Sequence, residues 1–82
     1  MNLSDLPNGV RSRVRALEQG DAAVGEATLR RLAELGFIEG EPVQVLRRGP
    51  GGKEPLAVQV GDTLFALRLA EARCVLVGDF AA

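Results

Sequence analysis

The chain has 82 residues, 46% of them apolar but only three aromatic, so it has the means for one modest core filled by Val, Leu and Ala. Ten Lys and Arg stand against eleven Asp and Glu, a formal charge of −1, which lacks the positive excess by which a general nucleic-acid binder displaces phosphate counterions. There is no His, hence no usual general base and no imidazole metal ligand, and the single cysteine, Cys74, cannot close an internal disulfide, which predicts a reducing compartment.

Met1 to Gly9 lacks the apolar stretch of a secretory signal, and Leu3 to Gly9 reads as an entry segment ending in an Asn8-Gly9 turn. Val10 to Leu17 alternates, with Val10, Ser12, Val14 and Ala16 on an inward face and Arg11, Arg13, Arg15 and Leu17 outward, the pattern of a half-buried strand. Gly20-Asp21 breaks that strand, and Asp21 is placed to cap a helix over about 22–35. Val24, Thr28, Leu29, Leu32 and Leu35 share one side of it, with Ala22 and Ala33 beside them. Glu26, Arg30, Arg31 and Glu34 share the other, where Glu26, Arg30 and Glu34 have the spacing of a charge ladder. Gly25 weakens the first turn, which moves the stable helix toward Glu26. Gly36 suits the left-handed residue that ends a helix, with Phe37 or Ile38 folding back onto the last turn.

Three further strands are predicted at Val43 to Arg48, Leu56 to Val60 and Leu64 to Arg68, the last with little alternation and expected to be buried on both faces. In the first of these, Val43, Val45 and Arg47 alternate with Gln44, Leu46 and Arg48. Leu69 to Arg73 reads as a single 3₁₀ turn, Cys74 to Val77 as the last strand, and Gly78 to Ala82 as a tail in which Phe80 packs on the body. Five short strands and one inserted helix make an all-β fold, a small barrel, in a single domain over residues 1–82.

No run approaches the ~18 apolar residues a spanning helix needs, so a soluble, cytoplasmic protein without membrane insertion is expected. Catalysis finds no support: a lone thiol without imidazole builds neither a nucleophile–base pair nor a tetrahedral zinc site. Gly49 to Lys53 lacks the Ser or Thr after Lys, and the following helix, of a phosphate-cradling loop. No metal and no cofactor are therefore predicted.

What remains is binding. Arg11, Arg13 and Arg15 line one strand face, Arg47, Arg48 and Lys53 surround the long loop, and Arg30 and Arg31 stand on the helix. Two readings stay open for these eight cations: an ordinary solvated surface, or a positive patch that orients an acidic protein partner. The lack of Tyr and Trp removes stacking platforms for single-stranded nucleic acid.

Several short motifs together resemble one family. They are Leu3-Ser4-Asp5-Leu6 then Gly9, Arg31-Leu32 with Leu35-Gly36-Phe37, Gly40 before Val43, Pro55, and Ala66-Leu67-Arg68 with Glu71-Ala72. Their order and spacing, from Leu3 to Val77, resemble the FeoA family of bacterial ferrous-iron uptake. That resemblance implies an SH3-like barrel of about five strands with the helix after the first. It also implies a non-enzymatic accessory role toward FeoB, a membrane ferrous-iron transporter contacted from the cytosol. Related domains end DtxR-like repressors, but this chain has no room for a helix-turn-helix. Where the family often shows Gly-Asp-Pro, this chain reads Lys53-Glu54-Pro55. The rival reading is a barrel that binds nucleic acid or a ribosomal partner through its Arg-lined strand.

Overall fold

A computed structural model describes residues 1–19 and 24–79. Five antiparallel strands run β1 (Ser12–Leu17), β2 (Pro42–Gly49), β3 (Lys53–Val60), β4 (Thr63–Leu67) and β5 (Val75–Asp79), in the sheet order β4-β3-β2-β1-β5. Helix α1 (Glu26–Leu35) follows β1, and a one-turn helix α2 (Leu69–Ala72) precedes β5. The alternation of Val43, Val45, Leu56, Val58 and Val60 turns one sheet face inward, where all five are buried. Leu32 and Phe37 close that core from the helix side, and Leu3 and Leu6 of the entry segment close it from another.

The helix begins at Glu26 with Gly25 as its N-cap, shorter than 22–35 and consistent with the weakness Gly25 introduces. The proposed Asp21 cap and Ala22 lie outside the described residues, as does Phe80. At the other end Gly36 sits at φ 115°, its N–H donating to the Ala33 and Leu32 carbonyls. The Phe37 N–H donates to the Leu32 carbonyl at 3.1 Å, so Leu32 and Phe37, both fully buried, meet across the reversal. It is Phe37 that folds back, whereas Ile38 is 50% exposed. The ladder of Glu26, Arg30 and Glu34 is not made; the helix's ion pair runs from Arg31 Nη1 to Glu71 Oε2 at 3.2 Å.

Two bulges correct the predicted strand faces. The β1–β5 register shifts between Val14 and Ala16, so Ala16 is exposed while Leu17 packs against the core, the reverse of simple alternation. The β2–β3 register shifts between Val45 and Arg47, which leaves Arg47 outside and turns Arg48 toward the barrel end. Val10 precedes β1 and is 44% exposed, outside the inward row. Near the end of β2 the chain turns sharply at Gly49. A Cβ there would lie 2.8 Å from the Glu54 carbonyl carbon and 3.0 Å from Pro55 Cδ, so no larger residue fits without shifting backbone.

The stretch at 64–68 is an edge strand and not buried on both faces: in β4, Leu64 is 64% exposed while Leu67 is buried. The turn before β5 is α-helical and not 3₁₀. The Ala72 N–H bonds the Arg68 carbonyl and the Arg73 N–H the Leu69 carbonyl, while Glu71 Oε1 accepts the Arg68 N–H at 2.8 Å. Ladder hydrogen bonds do not close the barrel between β4 and β5. The outer edge of β5 is instead covered by the N-terminus, through an Asn2–Leu76 bridge and a Val77 N–H to Met1 carbonyl bond of 3.0 Å.

Leu32→Ala should cost ~2–5 kcal/mol, since a fully buried leucine leaves a cavity, and Leu32→Asp should abolish the cooperative melt. Calorimetry checks both, and a wild-type transition in the aspartate variant would refute the placement of α1. Gly36→Val should lower stability by ~1–2 kcal/mol, because a β-branched residue resists the left-handed geometry. Urea titration measures that loss.

Candidate protein-binding surface

The outward face of the sheet is where the first-strand arginines emerge. Arg13 stands opposite Pro42 on one side and Gly78 on the other. Its Nη1 donates to the Gly40 carbonyl at 2.8 Å, which ties β1 to the loop after α1 while the side chain stays half-buried. Arg15, the extra residue of the β1 bulge, lays its side chain across Gly78: a Cβ on that glycine would sit 3.1 Å from both Arg15 Cγ and Cζ. Arg11 is exposed and borders a notch of about 40 Å³ with Pro42, Gln44, Gln59 and Gly61, beside a Gln44 Nε2 to Gln59 Oε1 bond of 3.3 Å. The three arginines thus share one side of the sheet, as alternation predicts, and Arg11 and Arg13 are separated by Ser12, which points into the core and bonds the Gly78 carbonyl through its hydroxyl.

The remaining cations are dispersed. Arg47 is exposed opposite Ala57, and exposed Lys53 faces Gly49 where β3 begins. Both lie at the far end of β2 from Pro42, which pairs with Arg13. Arg30 and Arg31 are exposed on α1, with Arg31 held by Glu71. Arg48 serves the fold instead. Its Nη2 donates to the Ser4 and Leu6 carbonyls at 2.9 Å each, and its Nη1 to Asn8 Oδ1. Those carbonyls belong to the entry segment, whose 3₁₀ turn Leu3–Asp5 is capped by Asn2 through Ser4 N–H at 3.0 Å. Arg48 therefore anchors the leucines that plug the barrel end.

Sequence reasoning did not single out a shallow groove of mixed polarity, about 340 Å³, between the end of α1 and the β3–β4 turn. Leu35, Ile38 and Val60 line it, with Glu41 and Asp62 on its rim. A two-residue excursion such as Ile38-Glu39 gives no period to read, so only its apolar residue beside a glycine-ended helix hints at an exposed contact. Among the described residues, no three His, Cys, Asp or Glu side chains come together as a metal site. No helix among them is long and apolar enough to cross a membrane.

Comparison with known proteins decides the family. The model of the FeoA domain matches residues 1–78. The chain belongs to the FeoA family. The structure of Stenotrophomonas maltophilia FeoA is 47% identical over 95% of this chain and 89% of that one, with a TM-score of 0.83. That protein is described as an SH3 domain protein complexed with zinc and put forward as a bacterial ferrous iron transport activating factor. Chlorobium tepidum FeoA is 35% identical over 94% of this chain and 68% of that one, at a TM-score of 0.78. Iron(II) transport protein A from Clostridium thermocellum is 31% identical over 99% of this chain but only 46% of that one, at a TM-score of 0.79. Among curated proteins none matches. The all-β barrel expected from the residues, and its SH3-like form implied by the resemblance, are thus the fold of this family, whose members are accessory proteins of ferrous iron transport.

Arg48→Ala should cost ~1–3 kcal/mol by stranding two carbonyl groups of the entry segment, whereas Arg47→Ala, one residue away, should change stability by less than ~0.5 kcal/mol. Parallel urea titrations of the two variants check the contrast, and equal losses would refute the structural role of Arg48.

Proposed function

We propose that this FeoA domain acts as a single, non-enzymatic unit in the cytoplasm, binding a FeoB-like membrane transporter from its cytosolic side and modulating ferrous-iron uptake. The observation that carries this reading is the family match over residues 1–78 together with 47% identity to a protein put forward as a ferrous iron transport activating factor. The chemistry of the chain agrees. It has no imidazole and one thiol, and that thiol, on Cys74, is fully buried with its sulfur against the Ala70 carbonyl at 3.4 Å. A surface is what the molecule has to offer.

The surface we assign to the transporter is the outward sheet face bearing Arg11, Arg13 and Arg15. Arg13 stands on paired backbone, with Arg11 just before β1 and Arg15 at its bulge, and a positive face of that kind raises the association rate with an acidic partner and fixes its orientation. Arg47, Lys53, Arg30 and Arg31 lie apart from this face, and Arg48 contributes by holding the barrel end in shape.

Reversing the charge of Arg11, Arg13 and Arg15 to Glu should weaken capture of the transporter's cytosolic domain by at least ~10-fold, mainly through a slower, less salt-sensitive association. Surface plasmon resonance at two ionic strengths reads this, with a thermal melt to establish that the variant is folded. Undiminished capture by a folded triple variant would remove this face from the interface. Salt-sensitive retention of the wild-type chain on nucleic acid, absent with the transporter, would favour the rival class of partner.

A further inference from the structure

The two edges of the sheet are treated differently. Met1 and Asn2 cover the outer edge of β5, whereas among the described residues no strand pairs with β4 on the side away from β3. Natural edge strands are commonly protected by charge, proline, a bulge or shortness. Strand β4, Thr63-Leu64-Phe65-Ala66-Leu67, contains no charged residue and no proline, and its register with β3 runs unbroken from Leu56–Leu67 to Val60–Thr63.

The direction of its free backbone groups follows from the turn. Gly61-Asp62 is a two-residue connection with Gly61 at φ 56°, which makes Val60 and Thr63 a hydrogen-bonded pair. Hydrogen-bonded and non-bonded pairs alternate along an antiparallel ladder. Thr63, Phe65 and Leu67 therefore direct their N–H and C=O groups toward β3, and Leu64 and Ala66 direct theirs outward. Leu64 and Ala66 are also exposed in their side chains, Leu64 by 64%.

The residues flanking the strand are Asp62 and Arg68, both exposed and of opposite charge. Two copies of β4 laid antiparallel about a two-fold axis at Phe65 place Leu64 opposite Ala66 of the second copy. The outward N–H and C=O groups of one copy then meet those of the other in four hydrogen bonds. The same register brings Asp62 opposite Arg68 of the second copy, at both ends. Backbone parity and the uncharged centre allow this register, and the charge order selects it.

We propose that this chain self-associates through β4, as a two-fold antiparallel edge-to-edge pair closed by Asp62–Arg68 contacts between copies. The interface joins narrow strand edges, so the dimer is concentration-dependent and not obligate.

Sedimentation of the full chain from micromolar to millimolar concentration should show a monomer–dimer equilibrium. Over the same range the Leu64 and Ala66 amides should gain protection from hydrogen exchange, while Thr63, Phe65 and Leu67 are protected throughout. Asp62→Arg alone and Arg68→Asp alone should each weaken the dimer by about tenfold or more, since each sets like charges against each other at both ends. Mixing the two single variants should restore association, because the mixed pair opposes cations to anions at both ends. Leu64→Lys, at an exposed position that leaves the fold intact, should abolish dimerisation by the means natural edges use. A strict monomer at millimolar concentration would overturn the proposal and leave the edge to a strand of another protein. A dimer indifferent to the charge exchange, or to Leu64→Lys, would overturn it equally.

Discussion

The reversal at Gly36 is the constraint from which the rest of the molecule follows. A sheet of five short strands has one apolar face to cover, and α1 is the only element of more than a single turn available among the described residues to cover it. Ten helical residues bring a single fully buried leucine, Leu32, to the core, with Leu29 and Leu35 partly buried at its flanks. That is too little unless the chain leaving the helix turns straight back. The left-handed geometry of Gly36 permits that turn, and it delivers Phe37 onto the same spot as Leu32. Phe37 in turn meets the ring of Phe65 with centroids 6.0 Å apart, which joins the helix end to the edge strand. Two of the three aromatic residues in the chain are used at this one junction.

The elements themselves were legible because their periods are clean. Val43, Val45, Val58 and Val60 alternate as inward residues must, and Leu32 with Gly36 marks a helix end. What alternation could not show was where it fails. A bulge is an extra backbone residue, and neither Arg15 nor Leu46 carries any composition that announces one. Their consequences are nonetheless the main differences between expectation and structure. One bulge exchanges Ala16 for Leu17 at the core, and the other turns Arg48 from a surface cation into the anchor of Leu3 and Leu6. The status of 64–68 was illegible for a related reason. An apolar run reads alike whether both faces are buried or one lies at an open edge, and only strand order separates the two cases.

The candidate surface was legible to the same degree. Arg11 and Arg13 fall before the bulge, so their outward placement follows from period alone, and Arg15 remains beside them by reaching over Gly78. Gly78 is opposite Arg13 in the β1–β5 ladder, so its lack of a side chain opens the place where the Arg15 stem lies. The dispersal of Arg30, Arg31, Arg47 and Lys53 was not legible, since distance across a barrel depends on strand order and not on position in the chain.

The outward face and the open edge are parts of one surface. Gln44 pairs with Gln59 and Gln59 with Leu64, and Arg11 borders the same notch as Gln44 and Gln59. An edge-to-edge pair through β4 would therefore continue the row into a second copy and place two arginine faces on a shared sheet. A partner that presents two acidic sites to such a sheet gains from effective concentration once the first contact is made, without any new contact type. A monomeric partner gains nothing from the second face. The strength of self-association and the valency of the proposed partner would thus bear on each other, through backbone hydrogen bonds at Leu64 and Ala66 that touch none of Arg11, Arg13 and Arg15.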